Sequence, residues 1–134
     1  MPIDACRAAI ARFRAACEPD ALVVAAFLGG SFAAGPANEE SDVDVYVVSL
    51  EDEYARLWAR RLDFVEAMGQ PERVVEMPNF EGLGFDMVHF ELAGGVKGEI
   101  AYGHTGNFLQ MHGGPYEVLV DRIGLLDGVT FPLL

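Results

Sequence analysis

Lysine is nearly missing from this chain: Lys97 stands alone beside eight arginines, and against 21 acidic residues the formal net charge is −12. A field of that sign repels polyanions, which disfavours recognition of nucleic acid through a basic face. A small anion such as a nucleotide remains compatible, because a bound divalent cation inverts the local potential. Long apolar runs are missing too. The longest, Ala21 to Leu28, is far shorter than the ~20 residues of a membrane span, and Asp4 stands where a signal peptide carries basic charge. The expectation is a soluble, cytoplasmic protein that engages no membrane. Cysteine is limited to Cys6 and Cys17. Eleven positions apart in one predicted helix, the two lie about 16 Å from each other and cannot form a bond. Internal repeats and low-complexity segments are absent.

What is present reads as one globular domain spanning residues 1–134, with 51% hydrophobic residues and no dividing linker. Ile3, Cys6, Ile10, Phe13 and Cys17 recur at helical spacing and predict an amphipathic helix over Pro2 to Ala16, ended by Glu18-Pro19-Asp20. Leu22 to Leu28 is a short apolar run of the kind covered on both faces of a sheet, and Val43 to Val48 predicts the next central strand. Between them Phe32 to Glu40 is loop, with a helical turn after Ser31. Ser49 and Asp52 suggest a capping box for a helix over Leu50 to Met68, whose apolar stripe is Tyr54, Leu57, Trp58, Leu62, Val65 and Met68 and whose stop is Gly69. Arg73 to Met77 predicts a short strand, and Asn79 to Gly84 a loop. Phe85 to Leu92 and Val96 to Tyr102 flank Ala93-Gly94-Gly95 as a hairpin. A helical turn near Asn107 to Met111, the turn His112-Gly113-Gly114-Pro115 and a strand over Tyr116 to Val120 follow. The apolar end Phe131 to Leu134 either packs on the sheet or meets something outside the chain. The class is α+β of α/β type: one mixed sheet with helices packed against it.

Chemistry concentrates between Leu28 and Val48. Asp42 and Asp44 are two apart on a predicted strand and so project from one face. Carboxylates held that close repel unless a cation sits between them, and oxygen ligands of this kind suit Mg²⁺ or Mn²⁺. Gly29, Gly30 and Ser31 precede them by ten intervening residues. Glycine admits a ligand close to the backbone, and a hydroxyl beside free amides makes an anion site. Phosphate at one strand end and metal at the next outline a nucleoside triphosphate site. His89 reads as a hydrogen-bonded strand residue, and His104 and His112 as structural.

With Gly29-Gly30-Ser31 followed by Asp42-Val43-Asp44 between apolar runs, the chain resembles the polymerase-beta-like nucleotidyltransferase superfamily, including the aminoglycoside and lincosamide nucleotidyltransferases and minimal bacterial domains. The arrangement of elements extends the resemblance to about Tyr102. It implies a nucleotidyltransferase fold that moves a nucleoside monophosphate, AMP from ATP or another NTP, to a hydroxyl of a small molecule or protein. Asp42 and Asp44 would bind two metal ions, with Asp44 bridging, and Gly30 and Ser31 would hold the β and γ phosphates. The family's third carboxylate, ligand or general base, falls on Glu99, with Glu91 and Asp86 as rivals. Larger relatives add a C-terminal helical domain that this chain is expected to lack, so a second copy or a helical protein partner would complete the acceptor side. The alternative is an antitoxin-like or degenerate nucleotide-binding module acting through a protein partner.

Overall fold

In the computed structural model, which describes residues 2–132, the chain opens with helix α1 (Pro2–Cys17), which buries Cys6, Ala9, Phe13 and Cys17 at helical spacing. Strand β1 (Ala25–Gly29) runs into the single turn α2 (Ser31–Ala34), and β2 (Val43–Ser49) returns beside it. Helices α3 (Tyr54–Ala59) and α4 (Arg61–Met68) lead to β3 (Pro71–Met77), β4 (Asp86–Leu92), β5 (Lys97–His104) and β6 (Glu117–Asp121). The strands form one six-stranded sheet in the order β3-β4-β5-β2-β1-β6; β2 and β5 run parallel, and the other neighbours antiparallel. This is the mixed α+β sheet that the patterning predicts. Among the described residues no helix is long and apolar enough to cross a membrane.

The single helix expected over Leu50 to Met68 is instead divided. A 3₁₀ turn covers Glu51–Glu53, and α3 and α4 meet at Arg60, whose φ of −101° and ψ of 12° leave the helical region. Arg60 Nη1 lies 2.6 Å from the buried carboxylate of Asp20, so the break is tied to the turn before β1. Helical phase changes across it. Leu62, expected in the apolar stripe, turns to solvent, and Phe64 enters the core in its place. The expected capping box is not formed either, because Ser49 is fully buried and its hydroxyl donates to the Leu50 carbonyl at 2.8 Å.

The sheet separates two apolar layers. On one side α1 and α4 pack over Val43, Val45, Val47, Phe90, Ile100 and Tyr102, with the Phe13 and Phe64 rings 6.4 Å apart. On the other side the segment after β5 folds back, and Phe108, Met111, Leu126 and Phe131 cover Phe27, Val48 and Ala101. Phe131 stacks on Phe27 at 5.2 Å, so this part of the apolar end packs on the sheet; Leu133 and Leu134 lie outside the described residues. Cys6 and Cys17 are buried, free thiols.

Candidate active site

β1 ends where its chain must turn sharply over its neighbour. Gly30 adopts φ 65°, ψ −161°, a conformation open essentially to glycine, and a Cβ there would stand 2.6 Å from Asp44 Oδ2. Any other residue here would be strained in its backbone, and its Cβ would have to displace the Asp44 carboxylate. The turn α2 begins at once, and its intrahelical bonds start with the amides of Ala33 and Ala34 on the Gly30 carbonyl. The amides of Ser31 and Phe32 precede those bonds, as the first donors of any helix do. The returning loop is shaped by short polar side chains: Ser41 Oγ accepts the Asn38 amide at 2.9 Å and Asn38 Oδ1 the Glu40 amide at 2.8 Å. That loop delivers Asp42 to the start of β2.

Register then assembles a row of neighbours across five strands. Gly29 pairs with Asp44, Asp44 with Glu99, Glu99 with His89 and His89 with Val75. Partners in a ladder share a face, so the Asp44 and Glu99 carboxylates stand side by side. β5 comes this close to β2 because residue 98 is glycine; a Cβ there would collide with the Val43 carbonyl. Burial, then Glu99, then Asp42 push the Asp44 carboxyl up to about 6. Burial, then Asp44 and Glu99, raise the Tyr46 hydroxyl. Asp42 lies at the rim, 47% exposed, with Lys97 Nζ 3.9 Å from its Oδ1.

The other two acids sit differently. Glu91 shares the face of Glu99 but opposes Lys97, and Arg73 and His89 approach its Oε2 at 3.4 Å each. Asp86 belongs to the far end of β4 and to the opposite face, where its carboxylate accepts the Tyr54 hydroxyl at 2.5 Å and the Asn79 amide at 2.7 Å. It is a structural acceptor between helix and sheet. Among the described residues no group of three or more His, Cys, Asp or Glu is placed to hold a metal ion as the side chains stand. The arrangement is open: two adjacent inner carboxylates and one rim carboxylate, all oxygen donors. Mg²⁺ and Mn²⁺ keep several waters and take few carboxylates, so the donor chemistry fits such an ion. Burial first, and then the neighbouring carboxylates, raise the Asp44 carboxyl, and a bound cation would favour its charged form.

One support escapes the sequence reading. Tyr46, two residues beyond Asp44, stacks on Phe27 at 4.4 Å and 3° and meets His112 Nδ1 at 2.9 Å. His112 Nε2 lies 2.9 Å from the Pro115 carbonyl, an acceptor only, so Nε2 carries the proton and Nδ1 receives the Tyr46 hydroxyl. His112 also occupies the space a Cβ on Gly29 would need, 2.6 Å from its Cε1. The segment after β5 thereby braces both strands of the site. Its signal in the sequence is only the Gly-Gly-Pro turn, which does not tell which side of the sheet the histidine meets.

The family model described as nucleotidyltransferase domain matches residues 10–89. That span holds Gly29, Gly30, Ser31, Asp42 and Asp44 and ends before Glu99. No curated protein matches the chain.

Proposed function

The chain belongs to the nucleotidyltransferase-domain family, and from that membership we propose that it moves a nucleoside monophosphate, AMP from ATP in the simplest case, to a hydroxyl of a small molecule or a protein. The observation that supports this most is the row itself. Asp44 lies between a glycine turn on the β1 side and Glu99 on the β5 side, so the glycine turn and the paired carboxylates share one stretch of sheet.

Each residue has a distinct task. Gly30 presents no side chain, and with the Ser31 hydroxyl and the first amides of α2 it would bind the β and γ phosphates. Asp42, Asp44 and Glu99 would hold Mg²⁺ or Mn²⁺, with Asp44 shared if two ions bind. A bound cation would neutralise charge on the α-phosphoryl group and the departing pyrophosphate. The acceptor hydroxyl attacks in line from the side away from the glycine turn, the bond between its oxygen and the α-phosphorus forms as pyrophosphate leaves, and the Glu99 carboxylate takes its proton. Rate enhancement then comes chiefly from positioning and charge neutralisation. In this reading the nucleotide and metal side of the site lies within one domain, formed by the described residues 2–132.

Titration calorimetry with ATP and Mg²⁺ tests the assignment. Binding in the wild type should depend on Mg²⁺ and fall by about 100-fold or more in Asp42→Asn/Asp44→Asn, the loss expected when charged ligands to a bound ion are removed. Equal affinity in the two proteins would refute it.

A further inference from the structure

Lys97 is the chain's only lysine, and it stands among the carboxylates of the site. It lies two residues before Glu99 on β5 and so projects from the same face. Its register partner on β4 is Glu91, and its Nζ is 3.9 Å from Asp42 Oδ1. Arg73 and His89 already approach Glu91, each at 3.4 Å, which leaves Asp42 as the carboxylate nearest the ammonium. Both partners are about half exposed, at 56% for the Lys97 side chain and 47% for that of Asp42. Exposed pairs of this kind contribute little to stability. Their consequence lies in what else Asp42 can bind.

We infer that Lys97 holds Asp42 in the nucleotide-free protein and passes its ammonium to a phosphoryl oxygen of the incoming nucleotide, freeing Asp42 for the cation that accompanies it. This rests on the reading of Asp42, Asp44 and Glu99 as the nucleotide–metal site. The placement is what recommends it. Gly29 at the end of β1 is the register partner of Asp44, Gly30 in the turn that follows lies against the Asp44 carboxylate, and Lys97 meets Asp42 from β5, so a triphosphate lying from the turn across Asp44 and Asp42 brings its α-phosphoryl end to the lysine. A lysine ammonium on a flexible stem has three donors and changes partner by side-chain rotation alone. Against free divalent cation the lysine is a competitor. Toward nucleotide carrying that cation it is an added contact, in a protein whose net charge of −12 otherwise repels the ligand.

The opposite signs of these two effects provide the test. Lys97→Met keeps the unbranched stem without the charged end, Lys97→Arg keeps the charge, and thermal melts of both establish that the exposed strand position tolerates them. Mn²⁺ alone, followed by electron paramagnetic resonance, should bind Lys97→Met roughly fivefold more tightly than wild type, the size expected for removing one screened charge at about 4 Å. The α,β-methylene analogue of ATP with Mg²⁺, followed by calorimetry, should bind Lys97→Met roughly fivefold more weakly, and Lys97→Arg should return both values toward wild type. Unchanged affinities in Lys97→Met, or two shifts of the same sign, overturn the inference while leaving the site reading in place. Wild-type protein that fails to bind the analogue, or binds it equally well after Asp42→Asn/Asp44→Asn, overturns the site reading and the lysine's role with it.

Discussion

Asp44 shows how a site can be held at the expense of stability. Burial and two neighbouring carboxylates raise its carboxyl to about 6, above the ~3.9 of an unfolded aspartate. Between those values the folded protein binds more protons than the unfolded one, so stability falls as pH rises through the window from about 4 to 6. At pH 7 without metal the charged group costs about 1–3 kcal/mol. Asp44→Asn should therefore raise the melting temperature in EDTA at pH 7 by about 3–10 °C, and the gain should vanish near pH 4. A variant that melts lower than wild type at pH 7 would contradict the electrostatic account. Gly30 is the second residue with a sharp expectation. Gly30→Ala combines a left-handed backbone with a contact on Asp44 Oδ2, and should cost about 2–4 kcal/mol in urea unfolding as well as nucleotide binding.

Among the elements, β5 and the segment after it decide the geometry of the site. Parallel pairing of β2 with β5 needs the close approach at Gly98, and it carries Glu99 and Lys97 to Asp44 and Asp42 together. Gly98→Ala should unfold the protein at lower urea by about 2–4 kcal/mol, because the colliding partner is backbone and cannot rotate away. The returning segment acts through His112. His112→Ala removes its bonds to Tyr46 and Pro115 and leaves a void against Phe27, Tyr46 and Phe131. A loss of about 2–4 kcal/mol is expected. Tyr46→Phe, which only leaves His112 Nδ1 without its donor, should lose about 1–2 kcal/mol. If the two variants were equally stable, the histidine's packing would be without consequence.

For the molecule as a whole, the two thiols report on integrity. Cys6 and Cys17 are buried between α1 and the sheet, and burial pushes the Cys17 thiol up to about 12 and raises that of Cys6. Thiolate is the reactive form, so neither should react with a thiol reagent at pH 8 in the folded protein. Both should react as α1 leaves the sheet, with a urea midpoint matching that of circular dichroism. Modification of Cys17 well before that midpoint would show that the helix detaches independently.

The parts of this protein that its sequence determines by itself are those governed by neighbours along the chain. Alternation puts Asp42 and Asp44 on one face, apolar periodicity predicts α1 and the central strands, and Ala93-Gly94-Gly95 marks the hairpin, because each depends on a few consecutive residues. The mixed α+β sheet follows from their order. Tertiary structure decided what depends on distance. The place of Glu99 beside Asp44, about 55 residues away, is set by the register of a parallel pair, and Asp86 falls on the other face of β4. The break at Arg60 accompanies an ion pair with Asp20, remote in sequence, and it moves Leu62 out and Phe64 in. His112 and Lys97 meet the site only once β5 and the segment after it have packed. Side-chain periodicity is a local property of the backbone, whereas the neighbours across a sheet are chosen by burial of the whole core.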